Sequence, residues 1–311
     1  MYYPLSEKEK NQRQVWAVTR SVLEMDNFKY KRHGQKSKSH WNLFTRILSL
    51  FVLSLKIFGL YRRGLENVFK IKIIKHRIVF PNLPSAFDGF KVLHLSDLHI
   101  DSVKGLDDAI IERIKKVDFD LCVLTGDYRQ ASSGVFTHIL KSIKNISEHI
   151  QAEFDPLAIL GNHDTYLMAN YEEESGMRLL INETVELKRG SDKIIISGTD
   201  DPFSYYTDAS LMAFTPEEGF KIALVHTSEL ADIAAENDYD LYLCGHTHGG
   251  QICLPGGKAL ISHQSEGSAF IKGFWEKGKM KGYTSSGCGV SGIPLRYNCP
   301  PEITVFELVK G

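Results

Sequence analysis

The sequence predicts an α/β body behind a basic, helical leader. Three observations carry this prediction. From about residue 71 short β-rich runs recur, each ending in a polar or glycine-bearing turn; amphipathic stretches lie between several of them; and the first 70 residues hold one long apolar run set between Lys and Arg clusters. With 311 residues and 43% hydrophobic content the chain can bury one large core or two modest ones, which excludes a disordered or fibrous protein. The expected division is a leader over 1–70 and a folded body over 71–311.

In the leader, residues 1–27 balance four Lys and Arg against four Asp and Glu. Over 28–77 there are 13 Lys and Arg against the single acid Glu66, so the net charge of −1 for the whole chain hides −13 from residue 78 onward. A basic leader and an acidic body face different partners. The segment WNLFTRILSLFVLSLKIFGLYRR is apolar, yet Arg46 and Lys56 leave only nine residues between them, short of the roughly 20 that a spanning helix needs. At about 100° per residue, Thr45, Ser49, Lys56, Gly59 and Arg63 share one stripe while Leu, Ile, Phe and Val fill the rest, so this helix is expected to lie in a bilayer surface. Lys29, Lys31, Arg32, Lys36 and Lys38 before it, and Arg62, Arg63, Lys70 and Lys72 after it, suit anionic headgroups. Anionic membrane lipids are therefore the expected partner, and the cytoplasmic face of a bacterial inner membrane the expected, peripheral location. A helix packed on its own body and a tilted single span are the alternatives. No A-x-A-like site follows the run, which argues against a cleaved signal peptide.

The body's β-rich runs are, in order, KVLHLSDLH, DLCVLTGD, PLAILGNHD, KIIISGTDD, KIALVHTSE, DLYLCGHTH and the closing EITVFELV, with amphipathic stretches at 106–117 and 136–150. The five cysteines, Cys122, Cys244, Cys253, Cys288 and Cys299, form no C-x-x-C pair, so zinc-ribbon chemistry is unsupported and a reducing compartment is the simpler reading. Cys244, inside an apolar run, reads as a small buried residue.

Polar residues gather where the runs end: Asp97 and His99, then Asp127, then Asn162, His163 and Asp164, then His226, then His246 and His248. In α/β sheets ligands bind beyond the carboxyl ends of strands, so these separate ends are expected to converge on one place. One D-x-H or G-N-H-D alone is an ordinary turn or cap, but the ordered set points to a metal site. In extended backbone residues i and i+2 point to one side, so Asp97 with His99, and His246 with His248, are each expected to aim at a common centre. Gly126, Gly161 and Gly245 leave room for close backbone approach.

D-x-H, G-D, G-N-H-D, a lone His and G-H-T-H in this order resemble the calcineurin-like metallophosphoesterase superfamily over roughly 88–311. The tail, GHTHGGQICLPGG followed by SSGCGVSGIPLRYNCPPEITVFEL, resembles its bacterial membrane-associated phosphodiesterase branch, which includes a UDP-2,3-diacylglucosamine diphosphatase of lipid A biosynthesis. The resemblance implies a four-layer αββα sandwich with two metals, one held by Asp97, His99, Asp127 and His248, the other by Asp127, Asn162, His226 and His246. It also implies His163 as general acid for the leaving oxygen. GDYRQ departs from the family's G-D-x-x-D, placing Gln130 where a carboxylate supports that histidine, and the best-known lipid A diphosphatases carry Arg at the position of His163. VHTSE likewise departs from S-H-x-P but keeps His226. Arg129 is expected to fork onto a phosphate oxygen, with a surface ion pair as the alternative, and Asn162 to meet substrate as well as metal.

Mixed O and N ligation without thiolate suits Mn²⁺, favoured here, or Fe or Zn²⁺, better than Ca²⁺. The expected function is hydrolysis of a lipid-linked or nucleotide diphosphate at a membrane, with UDP-2,3-diacylglucosamine split to lipid monophosphate and UMP. The stretches DPFSYYTDASLMAF and HQSEGSAFIKGFW would form an apolar lip, or be ordinary surface loops. The alternatives are a broad phosphodiesterase acting on cyclic nucleotides or phospholipid headgroups, and a non-catalytic membrane scaffold. Nucleic acid is not an expected partner, because the apolar helix would be unneeded for it.

Overall fold

The computed structural model describes residues 5–30, 38–260 and 270–311. The body is built on β1 (Lys72–Phe80), β2 (Phe90–Leu95), β3 (Leu121–Leu124), β4 (Leu157–Ala158), β5 (Arg178–Leu179), β6 (Glu183–Arg189), β7 (Asp192–Gly198), β8 (Phe220–Leu224), β9 (Leu241–Cys244), β10 (Gly273–Lys277), β11 (Met280–Thr284) and β12 (Glu302–Lys310). Among the described residues these form two six-stranded sheets, ordered β1-β12-β2-β3-β4-β5 and β10-β11-β9-β8-β7-β6. β2, β3 and β4 run parallel, as do β7, β8 and β9, so their carboxyl ends lie along common edges.

Apolar side chains on both faces of the central strands decide the layering. Val92, Val123, Leu157, Ile196, Ile222, Leu224 and Leu243 form one cluster between the sheets. Leu93, Leu95, Cys122 and Leu124 point the other way, onto α4 (Leu106–Ile114) and α5 (Leu140–Glu148). Ala223, Val225, Tyr242 and Cys244 do the same on the second sheet. The period-2 alternation thus buries both faces, as in parallel sheets covered by helices. All five cysteines are free and buried.

The leader departs from expectation. The apolar run forms α2 (Lys38–Ile57), which stops at Gly59, held at φ 69°, and α3 (Leu60–Val68) follows. α3 docks on the body: Arg296 N donates to Gly64 O at 3.0 Å and Asn67 Nδ2 to Arg296 O at 2.9 Å. The first helix, α1 (Glu7–Tyr30), is bonded to the body through Arg13 and Glu183, Trp16 and Asp200, and Arg20 and Asp200. The expected seat on a bacterial inner membrane, and the single-span alternative with it, is corrected here. No helix among the described residues is long and apolar enough to cross a membrane, because Arg46 and Lys56 interrupt the run and Gly59 ends it. Two of the leader's three helices turn their polar side chains toward the body instead. The basic residues Lys31, Arg32 and Lys36, and the part of HQSEGSAFIKGFW before Phe270, lie outside the described residues.

Candidate dinuclear metal site

The turns that leave β2, β3 and β4 meet those that leave β8 and β9, and they carry the seven candidate ligands into two groups. Asp97, His99 and His248 form one, and Asp127, His226 and His246 the other; within each, the donor atoms lie within 4.8 Å of one another. Asp127 joins them, its Oδ2 standing 3.5 Å from His99 Nε2 and 3.4 Å from His226 Nε2. Asn162 Oδ1 completes the second group, 3.0 Å from His226 Nε2 and 2.9 Å from His246 Nδ1. In the first, His99 Nε2 lies 3.1 Å from His248 Nε2, and Asp97 Oδ1 3.6 Å from it.

The i and i+2 argument needs correction. Asp97, His99, His246 and His248 lie beyond their strands with φ of 50°, 38°, 69° and 51°, not in extended backbone. Asp97 and His99 do share a group, but His246 and His248 fall into different ones. A left-handed residue reverses the chain locally, so two neighbours two apart can serve two centres.

The donor chemistry fits divalent cations. His99 Nδ1 lies 2.7 Å from Arg129 O, and His226 Nδ1 2.7 Å from Thr125 O. A carbonyl only accepts, so each Nδ1 carries a hydrogen, and the neutral His99 turns its Nε2 lone pair toward Asp127; burial works to lower His226, but Asp127, Asp97 and Asp201 outweigh it and raise it well above its ordinary value, so a cation at the site would displace the proton on its Nε2. Lone pairs facing a carboxylate in a buried site repel unless a cation lies between them. Burial holds His248 well below its ordinary pKa, reinforced by His99 and Arg296, and burial takes His99 down to about 4, so both imidazoles are neutral. Burial also lifts Asp97 to about 6 against the help of His226, with Asp127 adding to the rise. Burial pushes Asp127 up as well, but His226, His163 and His99 outweigh it and hold this carboxyl well below the usual range, so it stays ionised. A set of neutral imidazoles, two carboxylates and one amide oxygen suits Mn²⁺, Fe or Zn²⁺.

Two glycines make the approach possible. A Cβ on Gly161 would stand 2.3 Å from Asp127 Oδ1, and one on Gly245 would stand 2.2 Å from Asp97 Oδ2. Neither position has room for any side chain.

His163 sits at the mouth of the site, its ring centroid 4.9 Å from that of His99. Its backbone N donates to Asp127 Oδ1 at 2.8 Å, and its Nδ1 lies 2.5 Å from Gln130 O. The carbonyl of residue 130 thus fixes the tautomer, leaving Nε2 for proton transfer. The Gln130 side chain faces away, with its amide N at 2.7 Å from Val290 O and its O at 2.7 Å from Gly292 N. Arg129 differs from expectation: it is 1% exposed, with Nε donating to His163 O at 2.7 Å and Nη1 to Gly134 O at 3.0 Å. These two bonds brace the loop that carries His163, and the buried side chain is not the surface ion pair of the alternative reading.

Several positioning residues escaped the sequence reading. Asp164, visible only as the last letter of GNHD, accepts from Asp127 N (2.7 Å), Gly161 N (2.8 Å) and Tyr128 N (2.9 Å), clasping the two ligand loops together. Ser96 Oγ donates to Asp97 Oδ2 at 2.6 Å, and Thr125 Oγ1 to Ser96 Oγ at 2.7 Å. Arg296, fully buried, donates to His248 O at 2.9 Å and Ser286 O at 2.7 Å. Asx and hydroxyl residues in turns are common enough that no local pattern marks these.

Comparison with known proteins agrees with this geometry. The family model of the calcineurin-like phosphoesterases matches residues 90–250. The chain is 32% identical to the uncharacterized metallophosphoesterase YkuE of Bacillus subtilis, covering 80% of this chain and 88% of that one. It is 27% identical to YkoQ of the same organism, also named an uncharacterized metallophosphoesterase, covering 86% of this chain and all of that one. To the phosphodiesterase YaeI of Escherichia coli it is 29% identical, over 76% of this chain and 88% of that one.

Proposed function

This chain belongs to the calcineurin-like phosphoesterase family and is a metal-dependent phosphohydrolase, and we propose that it acts as a dinuclear phosphodiesterase whose substrate is a lipid-linked nucleoside diphosphate. The observation that carries the dinuclear reading is Asp127, whose one carboxylate stands between the two groups of donors. When bound, a pair of divalent cations supplies Lewis-acid polarisation of the phosphoryl group and a nucleophile at neutral pH.

The residues supply the rest. Asp97, His99 and His248 would hold one cation and Asn162, His226 and His246 the other, with Asp127 shared between the two groups. His163, tethered at Nδ1 by Gln130 O, would in its doubly protonated form give the Nε2 proton to the leaving oxygen as the P–O bond of the ester or anhydride breaks. Arg129 keeps the His163 carbonyl in place.

Support for a lipid-linked substrate comes from the stretch after β7. The turn at α7 (Pro202–Tyr205) sets the ring of Phe203 4.4 Å from that of His246, and Tyr206 and Met212, further along the same stretch, are exposed. UDP-2,3-diacylglucosamine, cleaved to lipid monophosphate and UMP, is the specific substrate this reading favours. A broad phosphodiesterase on soluble esters is the second reading, favoured by the name of the Escherichia coli relative. The deciding experiment gives the Mn²⁺-loaded protein UDP-diacylglucosamine and an aryl phosphodiester side by side. A kcat/KM at least about 100-fold higher on the lipid, a difference of about 2.7 kcal/mol in transition-state binding, is expected. Comparable values on both overturn the lipid assignment, and hydrolysis that persists in EDTA overturns the metal centre.

A further inference from the structure

Outside the region matched by the family model, the first helix places an arginine against the back of the candidate metal loop. Arg20 is 1% exposed. Its Nη2 donates to Asp164 O at 2.9 Å and to Gly161 O at 3.3 Å. Its Nη1 pairs with Asp200, its Nε donates to Glu24 Oε1 at 3.0 Å, and its guanidinium lies 3.4 Å from the centre of the Tyr205 ring. Glu24, one helical turn on, accepts from Thr165 Oγ1 at 2.7 Å and Tyr166 N at 2.8 Å. Asp200 in turn accepts from Trp16 Nε1 at 2.8 Å.

The two carbonyls Arg20 grips are those of residues 161 and 164, the ends of the loop that presents Asn162 and His163. A planar guanidinium fixes the separation of the groups it binds, which a flexible ammonium does not. Burying such a group is expensive unless every bond is made, so its place here is a constraint on what it touches. Removing it would leave Asp200 buried without its cation and both loop carbonyls short of a donor.

We propose that Arg20 is a positioning residue for the hydrolytic centre: by spanning the Gly161 and Asp164 carbonyls from α1 it sets where Asn162 Oδ1 and His163 stand. The inference rests on the reading of Asn162 as a metal ligand and His163 as the proton donor. α1 is, on this view, part of the active-site framework, and the phosphoesterase fold of this chain is completed from its N-terminal end.

The test uses the full-length protein and three substitutions: Arg20→Gln, Arg20→Lys and, as a control on the same helix, Arg13→Gln, which removes the pair with Glu183 and the bond to Leu179 O. Mn²⁺ binding by titration calorimetry, kcat and KM on an aryl phosphodiester, and thermal unfolding are measured for each. Arg20→Gln is expected to weaken the second Mn²⁺ at least about ten-fold and to lower kcat by a similar factor with KM little changed, Arg20→Lys to recover part of both, and Arg13→Gln to lower thermal stability alone. Wild-type Mn²⁺ affinity and kcat in Arg20→Gln overturn the proposal, as does an equal loss of Mn²⁺ in Arg13→Gln. Should Arg20→Gln not fold, wild-type behaviour of Arg20→Lys in both readouts overturns it and a graded loss of Mn²⁺ supports it. Intact Mn²⁺ binding with every diester refused would defeat the functional reading while leaving the binding comparison in force.

Discussion

Asp164 is the sharpest place to test whether the centre is held together from behind. Asp164→Ala removes the acceptor for three buried backbone N–H groups, those of Asp127, Gly161 and Tyr128, at 2.7, 2.8 and 2.9 Å. Each orphaned donor costs about 1–3 kcal/mol, so the loss is roughly 3–9 kcal/mol before any offset. The offset is the carboxylate's own burial: burial, with Asp127 beside it, lifts Asp164 from 3.8 to about 6, a penalty on its ionised form of about 3 kcal/mol at pH 7. The net expectation is a destabilisation of roughly 3 kcal/mol. Asp164→Asn keeps one oxygen for the donors of Asp127 and Gly161, turns its amide N toward Tyr128 N, and sheds the charge penalty, so it should lose about 1 kcal/mol or less. Urea unfolding at pH 7 in EDTA measures both, and metal analysis after Mn²⁺ loading reads the consequence for the site: the alanine variant should retain one Mn²⁺ per chain where the wild type retains two. An alanine variant within about 0.5 kcal/mol of wild type, still binding two Mn²⁺, would refute the clasp.

Three further outcomes are expected. Gly161→Ala places a Cβ 2.3 Å from Asp127 Oδ1 and 2.8 Å from His226 Cε1, so it should fold yet bind fewer than two Mn²⁺ by elemental analysis; full loading with normal kcat contradicts the packing argument. His163→Gln should lower kcat about 100-fold on diesters with alkyl leaving groups and only a few-fold with p-nitrophenol, which leaves without a proton; equal losses on both deny the acid role. His94 is fully buried, with Nε2 2.8 Å from Thr125 Oγ1, and burial takes it from 6.5 down to about 3. A depressed folded value means that stability is present above pH 6.5 and lost as the pH falls toward 3, amounting to about 2 kcal/mol by pH 5. Wild type should therefore lose about that much more than His94→Gln between pH 8 and pH 5 in EDTA, and parallel curves would assign the proton elsewhere.

How much of this was legible in the sequence depended on whether the physics was local. The convergence of Asp97, Asp127, Asn162, His226 and His248 could be read because each follows a β-rich run and strand ends share an edge. The faces of α4 and α5 were legible from their apolar spacing. β5, two residues long, was too short to carry a period. The direction of a long side chain was not legible at all: Arg129 two residues past Asp127 reads equally well as a phosphate fork or a surface ion pair, and only the structure shows its bonds to the carbonyls of His163 and Gly134. The same holds for α1, whose bonds join residues 141 to 184 positions apart and leave no trace in its own pattern. Gly59 was a readable stop inside the apolar run, but the stripe argument carried the helix through it.

The deepest miss, the left-handed backbone of the ligands, explains why the site takes this form. Five of the seven candidate ligands, Asp97, His99, Asp127, His246 and His248, hold φ between 38° and 69°, a region that costs a non-glycine residue roughly 1–3 kcal/mol. Asp and His tolerate it better than most residues, which is a second reason, besides their donor atoms, for their presence in these turns. The strain is held by main-chain bonds together with the ligand carboxylates: Asp97 N donates to Gly126 O, His99 N to Asp127 O and Ile100 N to Tyr128 O, each at 3.0 Å, while His246 N donates to the Asp97 carboxylate and His163 N to that of Asp127, so the turns stay paired beyond their strands. Asp164 then ties the β3 turn to the β4 turn, and Arg20 ties the β4 turn to the first helix. Because each of these bonds is made within the chain and needs no cation, the geometry of the centre is set by the fold before any cation arrives, which is the condition under which fixed dipoles and charges favour a transition state without reorganising.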